Sequence, residues 1–220
     1  MNAVIFDMDG VLLDSEQLWI DCWEKLGEQY GLKGISPCLH ASIGTTAEKT
    51  REIFMEAFGN DFPYDRYVSE ASTLFHQAEL EGKLLLKPGS KEILVFLHEN
   101  GVKTALATST EMNTAKRQMK ERGLYEYFDQ MVFGSQIKRS KPAPDIFLKA
   151  AEMLEVSPAD CFVIEDSFNG VRAAHAAGMH PVMVPDLLQP TDEIRELCEA
   201  VCVNLDEACQ WLAEKLIDRH

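Results

Sequence analysis

Asn2-Ala3-Val4-Ile5-Phe6-Asp7-Met8-Asp9-Gly10-Val11-Leu12-Leu13-Asp14-Ser15 is the stretch from which the rest of the chain can be read. Ala3 to Phe6 is a short apolar run of strand formers, stopped by acidic residues and a glycine, which is the pattern of a fully buried strand running out into a loop. Asp7 and Asp9 are separated by one residue, so in extended chain both side chains point the same way at the strand's end. Two carboxylates crowded at an apolar strand's mouth are costly to ionise unless a cation sits between them. Magnesium, a hard ion that takes oxygen ligands, suits that place. The same pair suits phosphoryl transfer, in which one carboxylate attacks phosphorus and the other gives and takes the proton.

With 220 residues, 46% of them hydrophobic and 26% charged, the chain has material for one large-cored domain or for a core with a smaller appendage. A formal net charge of -15 disfavours nonspecific binding to nucleic acid or to an anionic membrane, so neither is expected as a partner. It also means that a phosphorylated substrate must find a local positive field made by metal, lysine and helix N-termini. The chain opens directly into a strand, and no apolar run approaches the roughly 18 residues of a spanning helix, so a cytoplasmic protein is expected. The six cysteines form no C-x-x-C pair. Cys198 and Cys202 have no nearby histidine to complete a zinc set, so reduced structural thiols are expected.

After Asp14-Ser15 the pattern turns helical. Ser15 is a good N-cap, and Leu18, Trp19, Cys22, Trp23, Leu26 and Tyr30 recur at helical spacing until Gly31. A loop with Gly34 and Pro37 is expected next. Thr45-Thr46-Ala47-Glu48 reads as a capping box opening a helix through Ile53, Phe54, Ala57 and Phe58. Tyr67, Val68, Ala71, Leu74, Phe75 and Ala78 mark a third helix that stops near Gly82. Residues 16–84 therefore form a small all-helical domain inserted behind the first strand, while 1–15 and 85–220 form the core. From Lys87-Pro88-Gly89 onward strand and helix alternate. Strands are expected at 102–107, 130–133, 161–164, 181–184 and 200–203, with helices opening near Ser90, Glu111, Ala143, Asn169 and Leu205. That alternation predicts an α/β protein with a Rossmann-like, doubly wound parallel sheet.

In open α/β sheets ligands gather at the carboxyl ends of the strands. The strand at 102–107 runs into Thr108-Ser109-Thr110 and at once into a helix. Hydroxyls and free backbone N–H groups there make an anion cradle, unless one hydroxyl is simply the N-cap. In Ser140-Lys141-Pro142-Ala143-Pro144-Asp145, two prolines fix the backbone and leave Lys141 just before a helix, placed to neutralise a transferring phosphoryl group. The strand at 161–164 ends in Glu165-Asp166-Ser167-Phe168-Asn169-Gly170, whose two consecutive carboxylates match the oxygen ligation that magnesium takes.

Asp7-x-Asp9, Thr108, Lys141-Pro142 and Glu165-Asp166, in that order, resemble the four motifs of a haloacid dehalogenase superfamily phosphatase. The helical insertion, Gly10 to Ser15, Ser140 to Asp145 and Glu165-Asp166-Ser167-x-Asn169-Gly170 resemble the β-phosphoglucomutase-like branch, in which the insertion is a cap. The resemblance implies a monomeric, magnesium-dependent phosphatase of small phosphorylated metabolites, sugar phosphates foremost. Asp7 would be the nucleophile, forming an aspartyl-phosphate, and a magnesium ligand. Asp9 would be the acid/base and give its backbone carbonyl to the metal. Thr108 and Lys141 would hold the phosphoryl oxygens, with the backbone N–H groups of Met8 and Ser109 as further donors. Asp166 would bind magnesium directly, with Glu165 in support through water. Trp19, Thr45 and Thr46 are candidate substrate-facing cap positions, or else plain cap packing, and Lys138 and Arg139 candidate rim charges. The cap would hinge near Asp14-Ser15 and near 84–87.

Other activities fit less well. A dehalogenase needs neither Asp9 nor a metal cluster. A phosphonatase needs a cap amine, and Lys25, Lys33 and Lys49 lack an apolar setting that would lower their pKa. A receiver-type regulatory domain has no second aspartate and no cap. A phosphosugar mutase is the serious rival, but the histidine and arginine of such caps fall at Trp19 and Ala47, which carry no charge.

Overall fold

The structure is a computed structural model that describes residues 3–43 and 47–217. In chain order its elements begin β1 (Ala3–Phe6), α1 (Ser15–Tyr30), α2 (Ile35–Ser42), α3 (Ala47–Phe58), α4 (Tyr64–Leu80), α5 (Ser90–Glu99) and β2 (Lys103–Thr108). They continue α6 (Met112–Glu121), β3 (Gln130–Phe133), α7 (Asp145–Leu154), β4 (Cys161–Glu165), α8 (Phe168–Ala176), β5 (His180–Met183), α9 (Asp192–Leu197), β6 (Ala200–Val201) and α10 (Leu205–Ile217). The chain divides into two compact units, Asp14–Leu85 and the remainder.

The six strands form one sheet, ordered β3-β2-β1-β4-β5-β6, with every pairing parallel. This is the doubly wound Rossmann-like α/β class, with helices in each strand-to-strand connection. β1 and β4 are buried along their whole length, as a continuous apolar run in a central strand requires. Ile5, Ala105 and Val163, on three adjacent strands, pack with Ile146 and Phe147 of α7. The chain winds outward from β1 to β3 on one side, then crosses to β4 on the other, so winding reverses beside β1. The crevice at such a reversal, outside the strands' carboxyl ends, is where ligands bind in these sheets.

The register brings the motifs together. Phe6 pairs with Leu106 on one side and with Ile164 on the other, so the next residue of each strand, Asp7, Ala107 and Glu165, reaches the same edge. Beyond Asp7 the chain doubles back on itself. The Met8 carbonyl accepts from the Leu12 and Leu13 N–H groups at 2.9 and 3.0 Å, and Gly10 N–H donates to Leu13 O at 3.0 Å. Gly10 makes the turn in the left-handed region, at φ 74. Lys87 N–H donates to Leu12 O at 2.9 Å, and Ser90 Oγ donates to the same carbonyl at 3.0 Å. The loop that carries both aspartates is thus anchored by the start of α5.

The Asp14–Leu85 unit is all helix among its described residues. Its core is aromatic: Trp23 lies 4.9 Å from Phe54, and Phe62 stacks on Tyr67 at 4.9 Å.

Several local expectations are corrected. The stretch with Gly34 and Pro37 is a helix, α2, not a loop. Gly34 turns the chain at φ 92, and Pro37 sits in the first helical turn, where its missing N–H leaves no bond unmade. Asp14, not Ser15, occupies the N-cap position of α1, and Gly89 that of α5, while the Ser90 hydroxyl lies against the carbonyls of Leu12 and Lys87. The short α9 was not among the expected helices. The capping box at Thr45 and Thr46 lies outside the described residues.

Candidate active site

Lys141 is the hub of the edge. Its ammonium donates to Asp7 Oδ1 at 2.6 Å and to Glu165 Oε1 at 2.6 Å, and reaches the Ala107 carbonyl at 3.5 Å. It therefore touches the residues that follow β1's end, close β4 and lie within β2. Its side chain is 11% exposed, that of Asp7 12% and that of Glu165 0%. Burial pulls the lysine's pKa down, but the two carboxylates outweigh it and hold the ammonium above the ordinary lysine range. Asp7 moves the other way. Burial raises its pKa, Lys141 opposes this, and the charges of Glu165 and Asp9 raise it again, to about 7.

Glu165 is held at both of its oxygens. While Oε1 takes Lys141, Oε2 accepts from Asp166 N–H at 3.1 Å, Ser167 N–H at 3.1 Å and Ser167 Oγ at 3.0 Å. Ser167 also caps α8, accepting from Gly170 N–H at 3.0 Å. Glycines make room for both acids. A Cβ at Gly170 would fall inside the Glu165 carboxylate, and one at Gly10 would lie 2.8 Å from Asp166 Cγ.

Asp7, Glu165 and Asp166 each offer a carboxylate oxygen, all within 4.8 Å of one another. An all-oxygen anionic set of that size could hold a hard divalent cation. Because four donors already hold Glu165, Asp7 and Asp166 are the pair better placed to ligate, with Glu165 as their support.

The loop after β2 carries the hydroxyls. Glu111 caps α6, its carboxylate accepting from Asn113 and Thr114 N–H at 2.8 and 3.1 Å. Neither threonine is spent on capping. Thr108, 0% exposed, accepts the Thr110 N–H on Oγ1 at 3.0 Å, which leaves its own hydroxyl hydrogen to donate. Thr110 Oγ1 donates to Asp9 Oδ2 at 2.6 Å, so the Asp9 carboxylate is turned to this loop. Ser109 is exposed between them, and Gly134 lies close to its carbonyl, where a Cβ would come within 3.1 Å.

Comparison with known proteins gives the family. Residues 1–178 match the haloacid dehalogenase-like hydrolase model. The chain belongs to the haloacid dehalogenase-like hydrolase family. It is 38% identical over 187 residues to a phosphorylated carbohydrates phosphatase of Thermotoga maritima, covering 83% of this chain and 84% of that one. It is 31% identical over 192 residues to a beta-phosphoglucomutase of Bacillus subtilis, covering 84% and 83%. A solved haloacid dehalogenase family hydrolase from Deinococcus radiodurans, with bound phosphate and sodium, superposes with a TM-score of 0.81 at 27% identity, over 97% of this chain and 96% of that one.

In this haloacid dehalogenase-like hydrolase the edge of the sheet gathers Asp7, Asp9, Thr108, Ser109, Lys141, Glu165 and Asp166. The side chain of Met8 is in the core, so only its backbone can serve a ligand. Trp19 belongs to the helical unit, its ring edge-on to Trp23 at 6.2 Å and to Phe75 at 6.1 Å. Thr45 and Thr46 lie outside the described residues. Arg139 is bound to Asp145 at 2.7 Å, while Lys138 is exposed. Sequence reasoning missed Thr110, Ser167, Gly10 and Gly170 as parts of the site. The third hydroxyl of Thr108-Ser109-Thr110 and the serine after Glu165-Asp166 were the available signals.

Proposed function

We propose that the chain is a magnesium-dependent phosphoric monoester hydrolase of small phosphorylated metabolites, sugar phosphates foremost, working as a monomer through an aspartyl-phosphate on Asp7. The observation that carries the reading is the buried Asp7–Lys141–Glu165 array, with Asp166 at cation-sharing distance, at the carboxyl edge of a haloacid dehalogenase-like sheet. The names of the phosphatase and mutase relatives support phosphorylated carbohydrates as the substrate class.

Asp7 and Asp166, with the Asp9 carbonyl, would hold magnesium, which when bound would supply positive charge to phosphoryl oxygens. The chain's own residues do the rest. Lys141 and the Thr108 hydroxyl grip the phosphoryl oxygens, with the backbone N–H groups of Met8 and Ser109. Asp7 attacks phosphorus in line while Asp9 protonates the leaving sugar oxygen. Asp9 then deprotonates a water that hydrolyses the aspartyl-phosphate. Trp19, Thr45 and Thr46 are the proposed substrate-facing positions of the helical unit.

A mutase is the second reading, favoured by the beta-phosphoglucomutase relative. It requires cationic groups to grip a second phosphate, and at one of those places stands Trp19, an uncharged ring packed on Trp23 and Phe75. Among the described residues no helix is long and apolar enough to cross a membrane, and we place the enzyme in the cytoplasm.

The test is phosphate release from a panel of sugar phosphates, with magnesium and with chelator. Magnesium-dependent release across several sugars is the expected result. No release, with conversion of glucose 1-phosphate to glucose 6-phosphate once a bisphosphate primer is added, would replace the phosphatase with the mutase.

A further inference from the structure

Thr110 has a bond that none of the roles above requires. Its Oγ1 donates to Asp9 Oδ2 at 2.6 Å across a separation of 101 residues. The loop is built to release and aim this hydroxyl. A threonine at a helix start ordinarily caps it, yet here the longer side chain of Glu111 does so. Thr108 Oγ1 meanwhile holds the Thr110 N–H at 3.0 Å, which fixes the backbone from which the side chain springs. A β-branched side chain has few χ1 choices, so a fixed backbone fixes where Oγ1 points.

We infer that Thr110 is the positioning residue of the acid–base group: by its bond to Oδ2 it fixes the plane of the Asp9 carboxyl that gives and takes the proton. This rests on the proposed role of Asp9 as acid and base. In the first half-reaction the carboxyl's proton passes to the leaving alkoxide oxygen, as its bond to phosphorus breaks and the bond from Asp7 to phosphorus forms. In the second, a water oxygen bonds to phosphorus, the Asp7–phosphorus bond breaks, and the water's proton passes to the Asp9 carboxylate. The acid is thereby restored. A hydroxyl both donates and accepts, so Thr110 keeps its hold on Oδ2 whether or not that oxygen is protonated. Without it the carboxyl turns about its last torsion, which has a broad, roughly two-fold preference, and loses its line to the leaving oxygen.

The test compares leaving groups. The parameter is kcat/KM, which reports the transition state reached from free enzyme and substrate and so reads the first transfer without the later hydrolysis. p-Nitrophenyl phosphate expels a phenolate that needs no proton, whereas a sugar phosphate expels an alkoxide that does. Thr110→Val removes the hydroxyl with little change of shape, and Thr110→Ser returns it. On the sugar phosphate that wild-type enzyme hydrolyses fastest, Thr110→Val should lose on the order of 10- to 100-fold in kcat/KM. On p-nitrophenyl phosphate it should lose less than about threefold, and Thr110→Ser should recover to within about threefold of wild type on both. Equal loss on the two substrates, no loss on either, or no recovery by Thr110→Ser would overturn the inference. Asp9→Asn, measured in parallel, separates the two levels. If it shows the selective loss and Thr110→Val does not, only the role of Thr110 fails. If Asp9→Asn shows no selective loss, the acid–base assignment fails and this inference with it.

Discussion

Replacing Gly170 with alanine adds one methyl group within a helix, where alanine is ordinarily the better residue by up to about 1 kcal/mol. Propensity alone therefore makes Gly170→Ala neutral or stabilising. The packing makes the opposite prediction. The new Cβ falls inside the Glu165 carboxylate, which is 0% exposed and holds Lys141 at 2.6 Å together with two backbone N–H groups and the Ser167 hydroxyl. If Glu165 swings aside, a buried ion pair is broken, at about 3–5 kcal/mol. If α8 shifts instead, overpacking costs about 1–3 kcal/mol. Less the gain in propensity, the expected loss is about 2–4 kcal/mol if Glu165 moves and up to about 2 kcal/mol if α8 shifts, which for a chain of this size lowers the thermal midpoint by as much as roughly 15 °C. Thermal melting followed by far-ultraviolet circular dichroism, with urea unfolding as a check on the free energy, reads the change. Phosphatase turnover should fall as well, because Lys141 loses one of its two anchors. A midpoint above wild type would mean that Gly170 and Glu165 are not in contact, and the account of Glu165 as the support of the site would go with it.

Asp7→Asn should cut phosphate release by about three orders of magnitude or more while leaving the melting midpoint equal or higher, since it neutralises a buried carboxyl whose pKa is pushed up to about 7. A midpoint well below wild type would contradict the assignment of that carboxyl as a destabilised functional group. The same shift gives a pH dependence. Folded Asp7 holds its proton up to about 7 whereas the unfolded chain releases it near 3.8, so in chelator this stabilising contribution is complete below 3.8 and is lost as pH rises to about 7. Magnesium takes the proton's place, so it should raise the midpoint more at pH 8 than at pH 5, as melts with magnesium and with chelator will read. Burial pushes the thiols of Cys161, Cys198 and Cys202 up to about 11. These thiols should therefore be slow to react with a disulfide reagent at neutral pH in the native protein, and all six cysteines should react promptly in urea.

Most of the sheet and the identity of the acids were legible because each motif follows an apolar run. Parallel pairing then delivers every run's end to one edge, as Phe6 does beside Leu106 and Ile164. What stayed hidden depends on tertiary reach. Whether a hydroxyl of Thr108-Ser109-Thr110 capped the helix was decided by Glu111, whose longer side chain took that duty and freed Thr110 for Asp9. The stretch around Pro37 was misread because proline is tolerated in a first helical turn, and no local signal separates that from a loop. Gly10 and Gly170 looked like punctuation, yet each is also small for the sake of a carboxylate. These hidden features bear on one problem of charge. Among the described residues four carboxylates, Asp7, Asp9, Glu165 and Asp166, meet a single ammonium, Lys141, at this edge. In the effective dielectric near a protein surface, unit charges 4 Å apart repel by about 4 kcal/mol, so a phosphate dianion is turned away by such a group. On the proposed reading a divalent cation held by Asp7 and Asp166 would cut the excess of negative charge and give the phosphate a positive centre to meet, while Lys141 and Thr110 would hold the nucleophile and the acid still. On that reading the excess of carboxylate that is costly to the fold is what draws a divalent cation to this edge, and through it a phosphate.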